Sequence, residues 1–276
     1  MASVLQEQAE IFAANRAVGR VELSVGAMGG RTRRRRLHEN GSLRVRFPNA
    51  TAGPLEAIII NTAGGMTGGD RFAVDVALGP DAELVAGTAA AEKIYRSTGP
   101  EAEVNINLSV SEGGRLAWLP QETILFDQAR LSRRFDVDLA AGASLIMAEA
   151  VVFGRSAMGE GVAQGRLADL WRVRRDGRLI YADGVRLDGA IEAKLAAPAV
   201  TAGGVAIATV LVTPADDTVV AAVRACEGRF TGAVGISSWN GIAVARFCAD
   251  DAASLRRDLV VVLAALGTPV PRLWLA

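Results

Sequence analysis

The stretch NTAGGMTGGDRFAVDVAL (Asn61–Leu78) decides the fold class. Its glycine pairs, Gly64/Gly65 and Gly68/Gly69, invite a phosphate-loop reading. Such a loop requires G-x-x-x-x-G-K-[ST], with the lysine on the phosphates and the hydroxyl on magnesium. Gly64 and Gly69 have that spacing, but Asp70 and Arg71 stand where the lysine and the hydroxyl belong. An acid at that point repels a polyphosphate. The residues after Asp70 do not read as a helix either: Phe72, Val74, Val76 and Leu78 share one face, the period of two of a strand. The glycines therefore join two strands and hold no nucleotide.

The same alternation spreads outward through the first two thirds of the chain. Val104, Ile106, Leu108 and Val110 oppose Glu103, Asn105, Asn107 and Ser109, and Phe135, Val137 and Leu139 oppose Arg134, Asp136 and Asp138. These are half-buried strands, apolar inward and polar outward. Asp176-Gly177, between WRVRR and RLIYA, marks a hairpin. A weak repeat recurs as LGPDAEL from Leu78, VSEGGRL from Val110 and LAAGASL from Leu139: a strand end, a tight turn and a leucine opening the next strand. The period, on the order of 30 residues, predicts stacked strand pairs around an elongated interior. The expected class is mainly β, with stacked, solenoid-like antiparallel strands. Two amphipathic helices are expected in the final third, over DDTVVAAVRACEG from Asp216 and DDAASLRRDLVVVLAALG from Asp250, with caps and glycine stops in place. TGAVGISSWNGIAVARF between them predicts two strands around Asn240-Gly241.

No low-complexity or linker-like tract divides the 276 residues, so one domain is expected over 1–276, β-rich over 19–212 and helix-containing over 213–276. Thirty basic and thirty acidic residues balance to zero, which predicts no general affinity for nucleic acid or acidic lipid. The exception is RTRRRR (Arg31–Arg36), read as a solvated strand or turn. No aromatic residues interleave its Arg33–Arg36 core, as they do in single-strand binders. MASVLQEQAE has no cationic segment leading into an apolar one, and the longest apolar run, Leu259–Leu266, falls short of the ~20 residues of a membrane span. A cytoplasmic location is expected. Cys226 and Cys248 lie in apolar stretches without CxxC spacing and are expected as buried thiols.

Candidate chemistry is sparse. His38 is the only histidine, expected in a turn with Glu39-Asn40-Gly41, and its isolation excludes Ser-His-Asp and multi-histidine metal arrangements. A metal would meet only oxygen donors, which hold late first-row transition metals more loosely than nitrogen or sulfur do. The candidate acids are Asp70, Glu92, Glu122, Glu149 and Asp183. Glu149 lies among apolar residues in LIMAEAVVFG, which allows a buried ion pair, with Arg155 or Arg96 as the partners considered, or a water-lined passage. Asp70 is either a turn residue or part of such a passage. Paired carboxylates such as Asp70 and Glu149 also admit a carbohydrate-acting enzyme, although aromatic content is only 5%. In KIYRS, the cations Lys93 and Arg96 are expected to pair with nearby acids. Two apolar strips, Ile124-Leu125-Phe126 and the terminal PRLWLA with Trp274, suggest partner surfaces or a tail docked on its own core.

Three segments in fixed order, NTAGGMTGGD (Asn61–Asp70), EKIYRS (Glu92–Ser97) and LPQETILFD (Leu119–Asp127), together with PRLWLA, closely resemble the urease accessory protein UreD family, called UreH in some organisms. The matching motif positions are Gly64, Gly65, Gly68, Gly69, Lys93, Tyr95, Arg96, Ser97, Pro120, Gln121 and Glu122. The resemblance implies a non-enzymatic scaffold with no permanent cofactor, handling Ni2+ transiently. It implies complexes with UreF and the GTPase UreG, as a dimer of heterotrimers, and contact with apo-urease. It also implies that Asp70, Glu92, Glu149 and Asp183 line a nickel route. Glu92 departs from the small or polar residue usual at its position.

Overall fold

The computed structural model describes residues 15–49, 53–155 and 158–275. The N-terminal segment read for a targeting signal and the terminal Ala276 lie outside them. The chain begins with β1 (Val18–Met28), β2 (Arg31–Gly41), β3 (Leu43–Arg46), β4 (Leu55–Asn61), β5 (Arg71–Leu78) and β6 (Glu83–Thr88). It continues through β7 (Glu92–Ile94), β8 (Ala102–Val110), β9 (Arg115–Trp118), β10 (Thr123–Leu125), β11 (Arg130–Leu139) and β12 (Ser144–Phe153). The hairpin β13 (Gly165–Arg175) and β14 (Arg178–Gly189) is followed by a short helix, α1 (Ile191–Leu195), and by β15 (Ala206–Thr213). Helix α2 (Asp217–Arg224), β16 (Ala233–Trp239), β17 (Ile242–Ala249) and α3 (Ala252–Ala265) complete it.

Two sheets result. The first has the order β14-β13-β11-β8-β5-β1-β2, and the second β16-β17-β15-β12-β9-β6-β4-β3, with β10 joining β12 and β7 joining β10. The expectation of a mainly β, stacked architecture holds. Antiparallel pairing within the stack does not: β1, β5, β8, β11 and β13 pair in parallel, as do β4, β6, β9 and β12. Antiparallel pairs occur toward the ends, as in β1–β2, β13–β14 and β15–β17.

The reason lies in the repeated turns. Each is an arch from one sheet into the other, not a hairpin within one sheet. Leu78, Val110 and Leu139 stand in register in the first sheet, and Leu84, Leu116 and Leu145 in the second. These apolar residues on both arms of a unit bury in one core only if the arms face each other across the interior. The next unit then starts on the same side and runs in the same direction. Backbone bonds stack the arches: Ser111 N–H donates to Leu78 O at 3.0 Å, and Ala140 N–H to Val110 O at 2.9 Å.

Inward residues of both sheets form one core, including Val21, Phe72, Leu108, Phe135, Leu145 and Met147. The outer face of the second sheet forms another, where Ala148, Ala150, Val152, Val210 and Phe247 meet Leu255, Leu259 and Val262 of α3. Both expected helices are present, capped by Asp216 on Thr218 N–H and by Asp251 on Ser254 N–H. α2 is shorter than expected, and Glu227–Arg229 form a separate 3-10 turn. α1 was not expected; Ile191 and Leu195 bury against the inter-sheet core. His38 lies within β2 opposite Glu22, not in a turn, because β2 runs on to Gly41 before the chain reverses. The expected turns at Asp176-Gly177 and Asn240-Gly241 are both present, all four residues having positive φ.

Candidate functional site

The three sequence segments meet at one junction. Met66 N–H donates to Lys93 O and Tyr95 N–H to Met66 O, each at 2.7 Å, clasping the glycine loop to the KIYRS segment. Gly65 and Gly68 permit this closeness. A Cβ on Gly65 would stand 2.4 Å from the Tyr95 ring, and one on Gly68 would stand 1.9 Å from Ser97 Oγ and 2.4 Å from Pro100 O. The Tyr95 hydroxyl donates to Gly64 O at 3.0 Å. Parallel pairing of β7 with β10 brings in the third segment, and Glu92 N–H donates to Glu122 O. Arg256 of α3 donates to Gln121 Oε1 and Glu122 Oε2, tying the junction to the helical layer.

Behind this junction, charge is buried between the sheets. Arg133 of β11, Glu149 of β12 and Asp169 of β13 are each about 6% exposed. The Arg133 guanidinium reaches Asp169 through Nε (3.2 Å) and Nη2 (2.5 Å), and Glu149 and Thr123 through Nη1 (2.6 and 3.1 Å). Trp118 Nε1 donates to the other Glu149 oxygen at 2.7 Å. Arg133 and Asp169 are cross-strand neighbours in one sheet, while Glu149 comes from the other. Burial pushes the Glu149 carboxyl up to about 7, with Arg133 opposing and Asp169 reinforcing the shift. Burial disfavours the Arg133 charge, but Asp169 and Glu149 outweigh it and hold the guanidinium protonated.

Two cavities share this cluster as a wall. One, of about 80 Å³, is lined by Glu92, Met66, Pro120, Gln121, Thr123, Arg133 and Glu149 among others. The second, of about 30 Å³, is lined by Arg133, Glu149, Asp169, Asp183 and Thr209 among others. Both are large enough for water. Glu92, half-buried, accepts from Asn61 Nδ2 at 2.9 Å. Burial pushes its carboxyl up to about 7, and Asp70 adds to the rise. Asp183 accepts from the Tyr181 hydroxyl (2.9 Å) and from Arg246 Nη2 (2.5 Å).

The structure thus brings Glu92, Glu149 and Asp183 to two adjoining cavities, with Asp70 within electrostatic reach of Glu92 but outside their walls. Asp70 lines neither cavity, and its two oxygens accept Ala17 N–H (2.8 Å) and Thr67 N–H (2.7 Å). That is a turn-closing role, and a catalytic pair of Asp70 with Glu149 across a shared cleft is not formed. Glu149 does have an arginine partner, but it is Arg133. Arg155 instead pairs with Glu160, and Arg96 bridges Ala129 through the backbone. Glu122 lines neither cavity and pairs with Arg256 instead. The apolar strips are largely covered by the chain itself. Leu125 is in the inter-sheet core, Phe126 is covered by Tyr95 and Arg155, and Ile124 and Trp274 join the helix-side core. Cys226 is buried and Cys248 half-buried, both as free thiols.

Arg133 and Asp169 escaped the sequence reading, although the signal was there. Arg133 precedes Phe135 by two and Asp169 precedes Trp171 by two, which places both on inward faces. Among the described residues, no group of three or more His, Cys, Asp or Glu side chains is arranged to hold a metal ion. Nor is any helix among them long and apolar enough to cross a membrane.

Residues 17–275 match the family model described as UreD urease accessory protein. A urease accessory protein UreD of Rhodopseudomonas palustris strain HaA2 is 59% identical over 266 residues, covering 96% of this chain and 95% of that one. Another, of Bradyrhizobium diazoefficiens, is 54% identical over 275 residues, 100% of each chain to the nearest per cent. With a match of that extent, reaching beyond the three clasped segments to both sheets and the helical layer, the chain belongs to the UreD urease accessory protein family.

Proposed function

We propose that the protein acts in urease maturation as a nickel-insertion scaffold that does no covalent chemistry of its own. It works in the cytoplasm in complex with UreF and the GTPase UreG, as a dimer of heterotrimers, and passes nickel to apo-urease. The observation that carries this reading is the succession of acids through the sandwich. Half-buried Glu92 lines the first cavity, Glu149 lines both, and Asp169 and Asp183 line the second. Oxygen donors alone bind nickel weakly, which suits an ion that must move on. GTP hydrolysis belongs to UreG in this scheme, consistent with Asp70 and Arg71 standing where a phosphate loop needs lysine and a hydroxyl.

The test uses Glu92→Gln and Asp183→Asn in cells carrying the urease operon. Recovery of UreF and UreG with the tagged variants, together with urease of reduced nickel content, supports the passage. Normal nickel loading by both variants and by their combination, in a fully assembled complex, would overturn it.

A further inference from the structure

The guanidinium of Arg133 stands where the two cavities meet, and a passage through the sandwich has to deal with it. It spans the gap between the sheets, bonded to Asp169 on its own sheet and to Glu149 on the other. Both cavities have Arg133 and Glu149 in their walls. An ion moving from the Glu92 side to the Asp183 side therefore meets carboxylates that already hold a cation. We propose that Arg133 is a resident counter-cation at the waist of the passage, competing with the divalent ion for Glu149 and Asp169 so that the ion crosses without being trapped. This inference rests on the passage reading above.

Three features support it. The first is charge. Two carboxylates against one guanidinium carry a surplus negative charge when both are ionised, so the cluster still attracts a dication. The ion and the guanidinium repel one another at that range, so occupancy by one expels the other. The second is space. The adjoining cavity of about 80 Å³ gives the displaced side chain room without unfolding a strand. The third is a resting place. The guanidinium carbon already stands 5.2 Å from the Phe135 ring centroid, where a cation keeps favourable contact after losing its carboxylates. A buried pair of acids without such a competitor would bind a divalent ion and keep it. With Arg133 on a flexible tether, the carboxylates are refilled as soon as the ion leaves.

The test removes the competitor and asks whether a binding site appears. Nickel chloride is titrated calorimetrically into the full-length protein, with magnesium chloride as control. Arg133→Met should gain one nickel equivalent bound at least about tenfold more tightly than by wild type, accompanied by a saturable rise in melting temperature. Adding Asp169→Asn to that variant should abolish the gain. In the assembled complex, Arg133→Met should retain nickel and load urease more slowly. If Arg133→Met folds and gains no nickel equivalent, the proposal is wrong even if Glu92 and Asp183 prove essential for loading. Arg133→Lys keeps a charge but loses the two-sided fork, and should bind nickel with intermediate strength. Should Arg133→Met fail to fold with or without nickel, while Arg133→Lys folds and binds like wild type, Arg133 is a structural cross-brace only and the proposal is overturned.

Discussion

The two ends of the sandwich are built on the same strands yet differ in kind. At the arch end, β11 contributes Val137 and Leu139 and β12 contributes Leu145 and Met147, all buried against apolar neighbours. Toward the other end, β11 carries Arg133 and β12 carries Glu149, equally shut away from solvent. The arch end gains from burial at roughly 25 cal/mol per Å² of apolar surface. The charged end loses the hydration of three ions, and a buried pair often stabilises less than apolar residues of similar volume. Stability therefore does not account for the charged end. A fold able to stack apolar residues through three units had the means to continue them.

Breaking the charged end should produce the largest effect. Arg133→Met leaves two buried carboxylates without their partner and should cost about 3–5 kcal/mol in chemical denaturation. Replacing all three charged residues by apolar ones of similar volume should recover most of that loss. If the triple variant is no more stable than the single one, the network holds the fold together and the contrast between the ends fails. At the arch end, Leu145→Ala should cost about 2–5 kcal/mol through the cavity it leaves, with no recovery available from a second substitution.

A smaller effect separates the ends by pH. Burial raises the Glu92 and Glu149 carboxyls to about 7 in the fold, above the ordinary value of 4.5. The folded state therefore holds these protons more tightly than the unfolded chain does. Their stabilisation is fully present below pH 4.5 and is lost as pH rises toward 7. Glu92→Gln should flatten this slope and raise stability at pH 8 by roughly 1–3 kcal/mol. Leu145→Ala should leave the slope as it is. A Glu92→Gln variant that melts like wild type at both pH 5 and pH 8 would show that the first cavity hydrates its acid fully.

The smallest effect belongs to the surface. Arg33 and Arg34 lie exposed on edge strand β2, outside both cores. Replacing both by serine should leave the melting temperature and nickel loading unchanged. Loss of urease loading with an unchanged melting temperature would shift the functional surface from the proposed passage to this basic edge.

Much of the architecture was legible because period-two alternation reports directly which way each side chain points. The strand after Gly69, the turns at Asp176-Gly177 and Asn240-Gly241, and the capped helices α2 and α3 all arise from local chemistry. The arches were legible as repeats but not as crossings between sheets, because a tight glycine turn does not say whether its arms hydrogen-bond to each other. Site residues divided along the same line. Glu149 was identifiable as an acid in an apolar run. Its partner was not, because Arg133 reaches it from the opposite sheet, whereas Arg155 and Arg96 offered only a cation in a neighbouring motif.

Strand faces, the recurrence of the unit, the helix ends and the family are all written in the chain itself. Each is encoded in residues close in sequence or in motifs with fixed spacing. Which charges meet is settled only by the assembled sheets. Arg133 lies 16 residues from Glu149 and 36 from Asp169, and the three converge because parallel stacking sets the register of β11 and β13 and places β12 opposite them. Alternation tells a side chain to point inward. What it finds there depends on the strand across the core, which no local pattern specifies.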